Sequence, residues 1–246
     1  MADKHPITIS SADFEQYTSN WVQLITQGDA AQDTLKKCFT TDKGNRLLYL
    51  SMPAEWVCWL ISTVGCTQVK TGFMLDNNQQ FNLAFYATDA QNSRVSAYYL
   101  LNLDSTDYGN AIAKVYGRSS NDSAPVSSGD EGSGSVQIPH GVAGEWINNW
   151  RAAEPLTAAM FLTKYGYLQG YNFQRGDLMD NLFNVEQQEY QQLRVDFGLH
   201  KYYAGYDNGD PQPTYTFGLV LRLVNPDATT SDTPFFDMST PRPPGY

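Results

Sequence analysis

Residues 117–135 constrain the fold more than any other stretch. Eleven of these 19 residues are Gly or Ser, and none is aromatic. Such a segment cannot bury enough apolar surface to offset its ordering entropy. It reads as a flexible Gly/Ser linker, between domains or across the surface of one, and any packed structure must come from the two flanks.

Those flanks resemble each other. Tyr17 to Trp21 matches Trp146 to Trp150, and the apolar run from Pro53 to Ile61 aligns with Arg175 to Phe183. Val69 to Leu75 aligns with Leu193 to Leu199, and Phe81 to Ala87 with Tyr215 to Leu221. The order is the same in both halves, so the reading is an internal duplication arranged about a pseudo-twofold. The expected division is residues 1–116 as a first α+β repeat, the linker at 117–135, 136–233 as a second repeat, and 234–246 as a Pro-rich tail.

Within each half the periodicity predicts helices before a hairpin. Ser10 and Asp13 have capping-box spacing, and Phe14, Tyr17, Trp21, Leu24 and Ile25 then recur as on one helical face. A short helix is expected from Asp29 to about Phe39, and another at 142–153. Pro53 suits the first position of a further helix, and Glu55 and Asp177 fall where a helix dipole favours acids. Strands are expected at 68–76, 80–88 and 95–103, and again at 194–200, 214–223 and 234–238. The fold class is therefore α+β, with helices packed on antiparallel sheet. In the tail, Phe235 and Phe236 are expected to anchor in the core, and Pro241, Pro243 and Pro244 to stop any helix.

The formal net charge is −10 with 17% charged residues. That balance argues against nucleic acid or an anionic membrane as partner, because both require clustered Lys and Arg. The longest dense apolar run, 56–61, is far short of the ~20 residues of a membrane span. The first ten residues hold no apolar segment of a secretory signal. Cys38, Cys58 and Cys66 form an odd set, which with that N-terminus predicts reduced thiols and a cytoplasmic setting. Cys58, inside an apolar run, reads as a small buried residue.

Chemistry-bearing motifs are sparse. There is no phosphate-cradling loop, dinucleotide fingerprint, nucleophile elbow or zinc-protease helix. No metal site and no cofactor is expected, and no catalytic residue is assigned. A general base would come from His140 or His200, with Glu145 or Asp196 beside it. Asp207 to Asp210 has the oxygen-rich look of a calcium loop, but the plainer reading is a turn. Tyr202, Tyr203, Tyr206 and Tyr215 are dense around the second hairpin and form the candidate binding surface, since tyrosine joins an apolar face to a polar tip.

Ala143-Gly-Glu-Trp-Ile-Asn-Asn-Trp150, Phe197-Gly-Leu199 and the ending Phe236-Asp-Met-Ser-Thr-Pro-Arg-Pro-Pro244 together resemble a group of bacterial proteins from Bacteroidota-type genomes. The resemblance implies duplicated α+β halves and a Pro-rich C-terminal tail, and it carries no catalytic residues. Where that group usually has cysteines in the tail, this chain has Arg242 and Tyr246.

The leading expectation is a non-enzymatic interaction or assembly protein, acting with a protein partner or as a homo-oligomer. The alternatives are a small-molecule or carbohydrate binder using the tyrosine surface, and a hydrolase-like enzyme with a dispersed site.

Overall fold

The computed structural model describes residues 7–101, 137–182, 192–203, 213–225, 235–237 and 240–242. The linker expected at 117–135, Tyr206 and the loop Asp207 to Asp210 lie outside the described residues, as do Pro243 and Pro244.

The capping pair closes as its spacing predicts. Ser10 Oγ accepts from the Asp13 amide at 3.0 Å and donates to its carboxylate at 2.7 Å, opening helix α1 (Ser11–Ile25). A 3-10 turn (Gly28–Ala31) leads into α2 (Gln32–Cys38). Strand β2 (Tyr49–Pro53) runs straight into α3 (Ala54–Ser62), so Pro53 ends the strand and does not open the helix. Strands β3 (Gln68–Leu75) and β4 (Phe81–Thr88) form a hairpin, with Asp76 Oδ1 accepting from the amides of Asn78 and Gln80. Strand β5 (Tyr98–Leu100) is shorter than the pattern predicts.

The second half has a similar succession, without a counterpart of α2. Helix α4 (His140–Ala152) precedes a 3-10 turn (Ala158–Phe161). Strand β9 (Gly170–Gln174) runs into helix α5 (Arg175–Leu182), and a hairpin of β10 (Gln192–Tyr203) and β11 (Pro213–Val224) follows. Short strands complete the set: β1 (Thr8–Ile9), β6 (Gln137–Ile138), β7 (Leu162–Thr163), β8 (Gly166–Tyr167), β12 (Phe235–Phe236) and β13 (Thr240–Arg242).

The class is α+β on antiparallel sheets. One sheet runs β1-β5-β4-β3-β9-β13, the other β6-β12-β11-β10-β2, and β7 pairs with β8 apart from both. Each large sheet thus takes strands from the other flank of the linker: the first takes β9 and β13, the second β2. Strand β9 pairs with β3 (Val69↔Phe173), and β2 pairs with β10 (Leu193↔Met52). The boundary at 117–135 therefore does not separate the sheets. Strands β2 and β9 escape the sequence reading because neither is long or alternating; β2 is buried on both faces from Tyr49 to Met52. The two hairpins share a pairing. Phe81 faces Leu75, and Phe217 faces Leu199.

The two sheets pack face to face, with α1 on the outside of the first and α4 on the outside of the second. Between the sheets lies an aromatic core of Trp21, Phe39, Phe73, Phe81, Trp150, Phe161, Phe197 and Phe217. Its contacts come in matched pairs. Trp21 meets Phe81 at 5.2 Å and 69°, and Trp150 meets Phe217 at 5.0 Å and 69°. Phe73 meets Phe217 at 5.6 Å and 86°, and Phe81 meets Phe197 at 5.6 Å and 85°. Such edge-to-face pairs add about 0.5–1.5 kcal/mol each beyond burial. Tyr171 Oη donates to the Phe217 carbonyl at 2.6 Å, tying β9 of one sheet to β11 of the other. Phe235 and Phe236 are buried, and the tail continues as β13, with Pro241 opposite Tyr171 on a sheet edge where proline is tolerated.

Among the described residues, no helix is long and apolar enough to cross a membrane.

Candidate functional site

Strand β10 alternates between the core and the outside. Leu193, Val195, Phe197 and Leu199 face the aromatic interior, so Arg194, Asp196, Gly198 and His200 line the outer face. The exchanged strand β2 lies on one side of β10 and β11 on the other. Ser51 is directly opposite Arg194 and Tyr49 opposite Asp196, while Arg222 of β11 is opposite Arg194 from the other side. This face concentrates the buried charge of the second sheet.

The centre of the cluster is Asp196, 1% exposed. Its Oδ1 accepts from Arg194 Nε and its Oδ2 from Arg222 Nε, both at 2.9 Å. Arg194 and Arg222 are 8% and 4% exposed. The Arg194 guanidinium lies 3.5 Å from the centre of the Tyr49 ring, and that of Arg222 lies 5.0 Å from the Phe235 ring. The three charges sum to one net positive charge. Such a pair of charge-assisted bonds holds both arginines in fixed planes. It also occupies both oxygens of Asp196, which therefore serves as a structural acceptor and not as the partner of a histidine.

His200 sits further along the same strand under α4. Its ring stacks on Trp146 at 3.7 Å, and its Nδ1 is 4.0 Å from Asp237 Oδ2. Its Nε2 is buried without a hydrogen-bond partner. The ring occupies the space over Gly218 of the neighbouring strand, where a Cβ would collide with Nε2. Burial pushes the imidazole below its ordinary range, partly opposed by the Asp237 carboxylate. The sequence reading proposed Glu145 or Asp196 beside a histidine, but among the described residues the carboxylate facing His200 is Asp237. His140 begins α4 and meets the Phe235 ring edge-on at 5.0 Å, and Glu145 is exposed on that helix.

Of the tyrosines proposed as a binding surface, Tyr215 is half-buried and packs against the main core. Tyr202 and Tyr203 lie at the end of β10, in register with Thr214 and Pro213. The residues that sequence reasoning missed are Arg194, Arg222, Tyr49, Ser51, Trp146 and Asp237. The polar phase of β10 was visible, but alternation marks a face without saying that the face is buried.

Elsewhere, Asp33, Lys36, Lys37, Thr40, Thr41, Asp42 and Gln80 line an open groove of about 500 Å³ with mixed charge. All three cysteines are free. Cys38 is buried, and its thiol is pushed up to about 11 chiefly by that burial. Cys58 is only half-buried, against the buried place its sequence context suggests. Helix α3 turns Trp59 outward at 39% exposure, and Met179 of α5 is 40% exposed. The helices touch where Arg175 Nε donates to the Ile61 carbonyl at 2.8 Å. Comparison with protein-family models, curated proteins and solved structures gives no match.

Proposed function

We propose that this chain is a non-enzymatic interaction or assembly protein, working with a protein partner or a second copy of itself in a cytoplasmic setting. The observation that carries the reading is the outward surface where α3 meets α5. Helix α3 buries Trp56, Val57, Leu60 and Ile61 and still presents Trp59 to solvent, with Val64 fully outside just beyond its end and Met179 outward on α5. Tryptophan is among the residue types that contribute most when an interface forms. Large apolar side chains exposed on two helices in contact mark a candidate association surface. Three free thiols fit the cytoplasmic setting.

The same proposal includes an origin by duplication. It is supported by the matching order of five strands in each large sheet, β13 being additional in the first, by the reciprocal loan of β2 and β9, and by the matched aromatic contacts. A half-length ancestor that exchanged strands with its own copy would form a symmetric dimer of this kind, later joined into one chain.

Native mass spectrometry of the purified chain tests the functional reading. The expected result is a bare mass at a multiple of 27.5 kDa that falls to the single-chain mass on Trp59→Ser. A single-chain mass that Trp59→Ser leaves unchanged would overturn the self-association reading.

A further inference from the structure

We propose that Arg194 and Ser51 form a binding site for the carboxylate of a small organic acid, on the outer face of the five-stranded sheet.

The guanidinium of Arg194 is fixed on two sides. Its Nε bonds Asp196 Oδ1 at 2.9 Å, and its face lies on the Tyr49 ring. What remains is the edge that carries the two Nη groups. No described residue accepts from that edge, and the side chain is 9% exposed. Ser51 stands directly opposite Arg194 across the β2–β10 ladder, on the same face. Side chains so placed have Cβ atoms about 4.5–5.5 Å apart. The Ser51 hydroxyl likewise has no hydrogen-bond partner among the described residues, and the residue is 4% exposed.

The arrangement therefore offers a planar, two-pronged donor edge with one hydroxyl donor beside it. Two parallel N–H bonds from a guanidinium match the two oxygens of a carboxylate. The Tyr49 ring holds the guanidinium plane, so the acid approaches in that plane, and a flat carboxylate fits such an approach. The Arg194 guanidinium carries its positive charge to that edge, which favours an anion. Fixing the fork before binding lowers the ordering cost that a free surface arginine would incur.

The site differs from the α3–α5 surface and does not depend on it. Isothermal titration of the full chain at constant ionic strength tests it, with succinate and inorganic phosphate as probes and chloride as control. Saturable binding of succinate is expected. Ser51→Ala is expected to weaken it about tenfold, as loss of one hydrogen bond to a charged group does. Arg194→Lys should weaken it further, because an ammonium offers no fork. Should the Arg194 variant fold poorly, the Arg194 side-chain 15N resonances of the wild type provide the second reading, and succinate should shift them. Absence of saturable succinate binding, or wild-type affinity in both variants, would overturn the proposal. Phosphate binding more tightly than succinate would overturn the carboxylate assignment.

Discussion

Trp21 and Trp150 make the same hydrogen bond in opposite directions across the molecule. Trp21 Nε1 donates to the Leu168 carbonyl at 2.8 Å, and Trp150 Nε1 donates to the Leu47 carbonyl at 2.8 Å. Leu168 lies just before β9 and Leu47 just before β2, so each indole fastens the strand that its half receives from the other. The flanking amides repeat the relation: Phe73 N donates to Gln169 O at 2.9 Å, and Phe197 N to Leu48 O at 2.8 Å.

Trp21→Phe and Trp150→Phe should therefore destabilise the fold alike. Each leaves a buried carbonyl without its donor, which costs about 1–3 kcal/mol, and each thins the aromatic core. Urea denaturation of the two variants is the check. A loss in one and none in the other would show that the two bonds are not equivalent.

The glycines under the helices separate crowding from helix propensity. A Cβ on Gly72 would lie 2.6 Å from the Phe14 ring, so Gly72→Ala should cost about 1–3 kcal/mol through overpacking. Gly144, inside α4, has open space around its Cβ position. Gly144→Ala should stabilise by about 0.5–1 kcal/mol, since glycine is the poorer helix former. Thermal melting of both variants would read opposite signs.

His200 makes stability depend on pH. Its pKa in the fold is depressed by burial, so the unfolded chain binds the proton more readily. The contribution is complete above the unfolded value of about 6.5 and is lost as pH falls below it toward the folded value. Chemical denaturation between pH 7.5 and 5 should show wild-type stability falling on acidification. His200→Gln should flatten that part of the profile; an unchanged slope would remove His200 as the cause.

How far the sequence carried can be judged from particular residues. The Ser10–Asp13 cap, helix α1 and the β3–β4 hairpin were legible because local spacing alone determines them. Strand β2 was not. Its residues are buried on both faces, so they show no alternation, and its partner β10 lies far along the chain. The same limit hid the candidate site. Arg194 and Asp196 read as the polar phase of a strand, while Ser51, Tyr49 and Arg222 join them only through pairings that no local pattern encodes. Asp196 was expected to support a histidine, but two arginines take both of its oxygens.

The thiols should alkylate in order of exposure. Cys58 is half-buried, whereas Cys38 is sealed and its thiol raised to about 11. Since the thiolate is the reactive form, timed iodoacetamide labelling read by mass spectrometry should modify Cys58 first and Cys38 only on unfolding. Early labelling of Cys38 would contradict its packing.

Cutting the chain between the halves should not release them. With a protease site placed within 117–135, both fragments should co-elute in native buffer and part only in denaturant, because β2 stays beside β10 and β9 beside β3. Separation in native buffer would contradict the strand exchange.

The loan of strands also sets a timetable for synthesis. Thr71 on β3 accepts the amide hydrogen bond of Tyr171 on β9, a residue made 100 positions later. At about 5–20 residues per second, the ribosome needs roughly 5–20 s to supply that partner. Over that interval the N-terminal sheet holds an open edge facing core-bound side chains, the kind of edge that invites pairing with another chain. The nascent first half is thus the stage at which this protein is most exposed to misassembly, and slowing translation beyond residue 101 should lengthen that exposure.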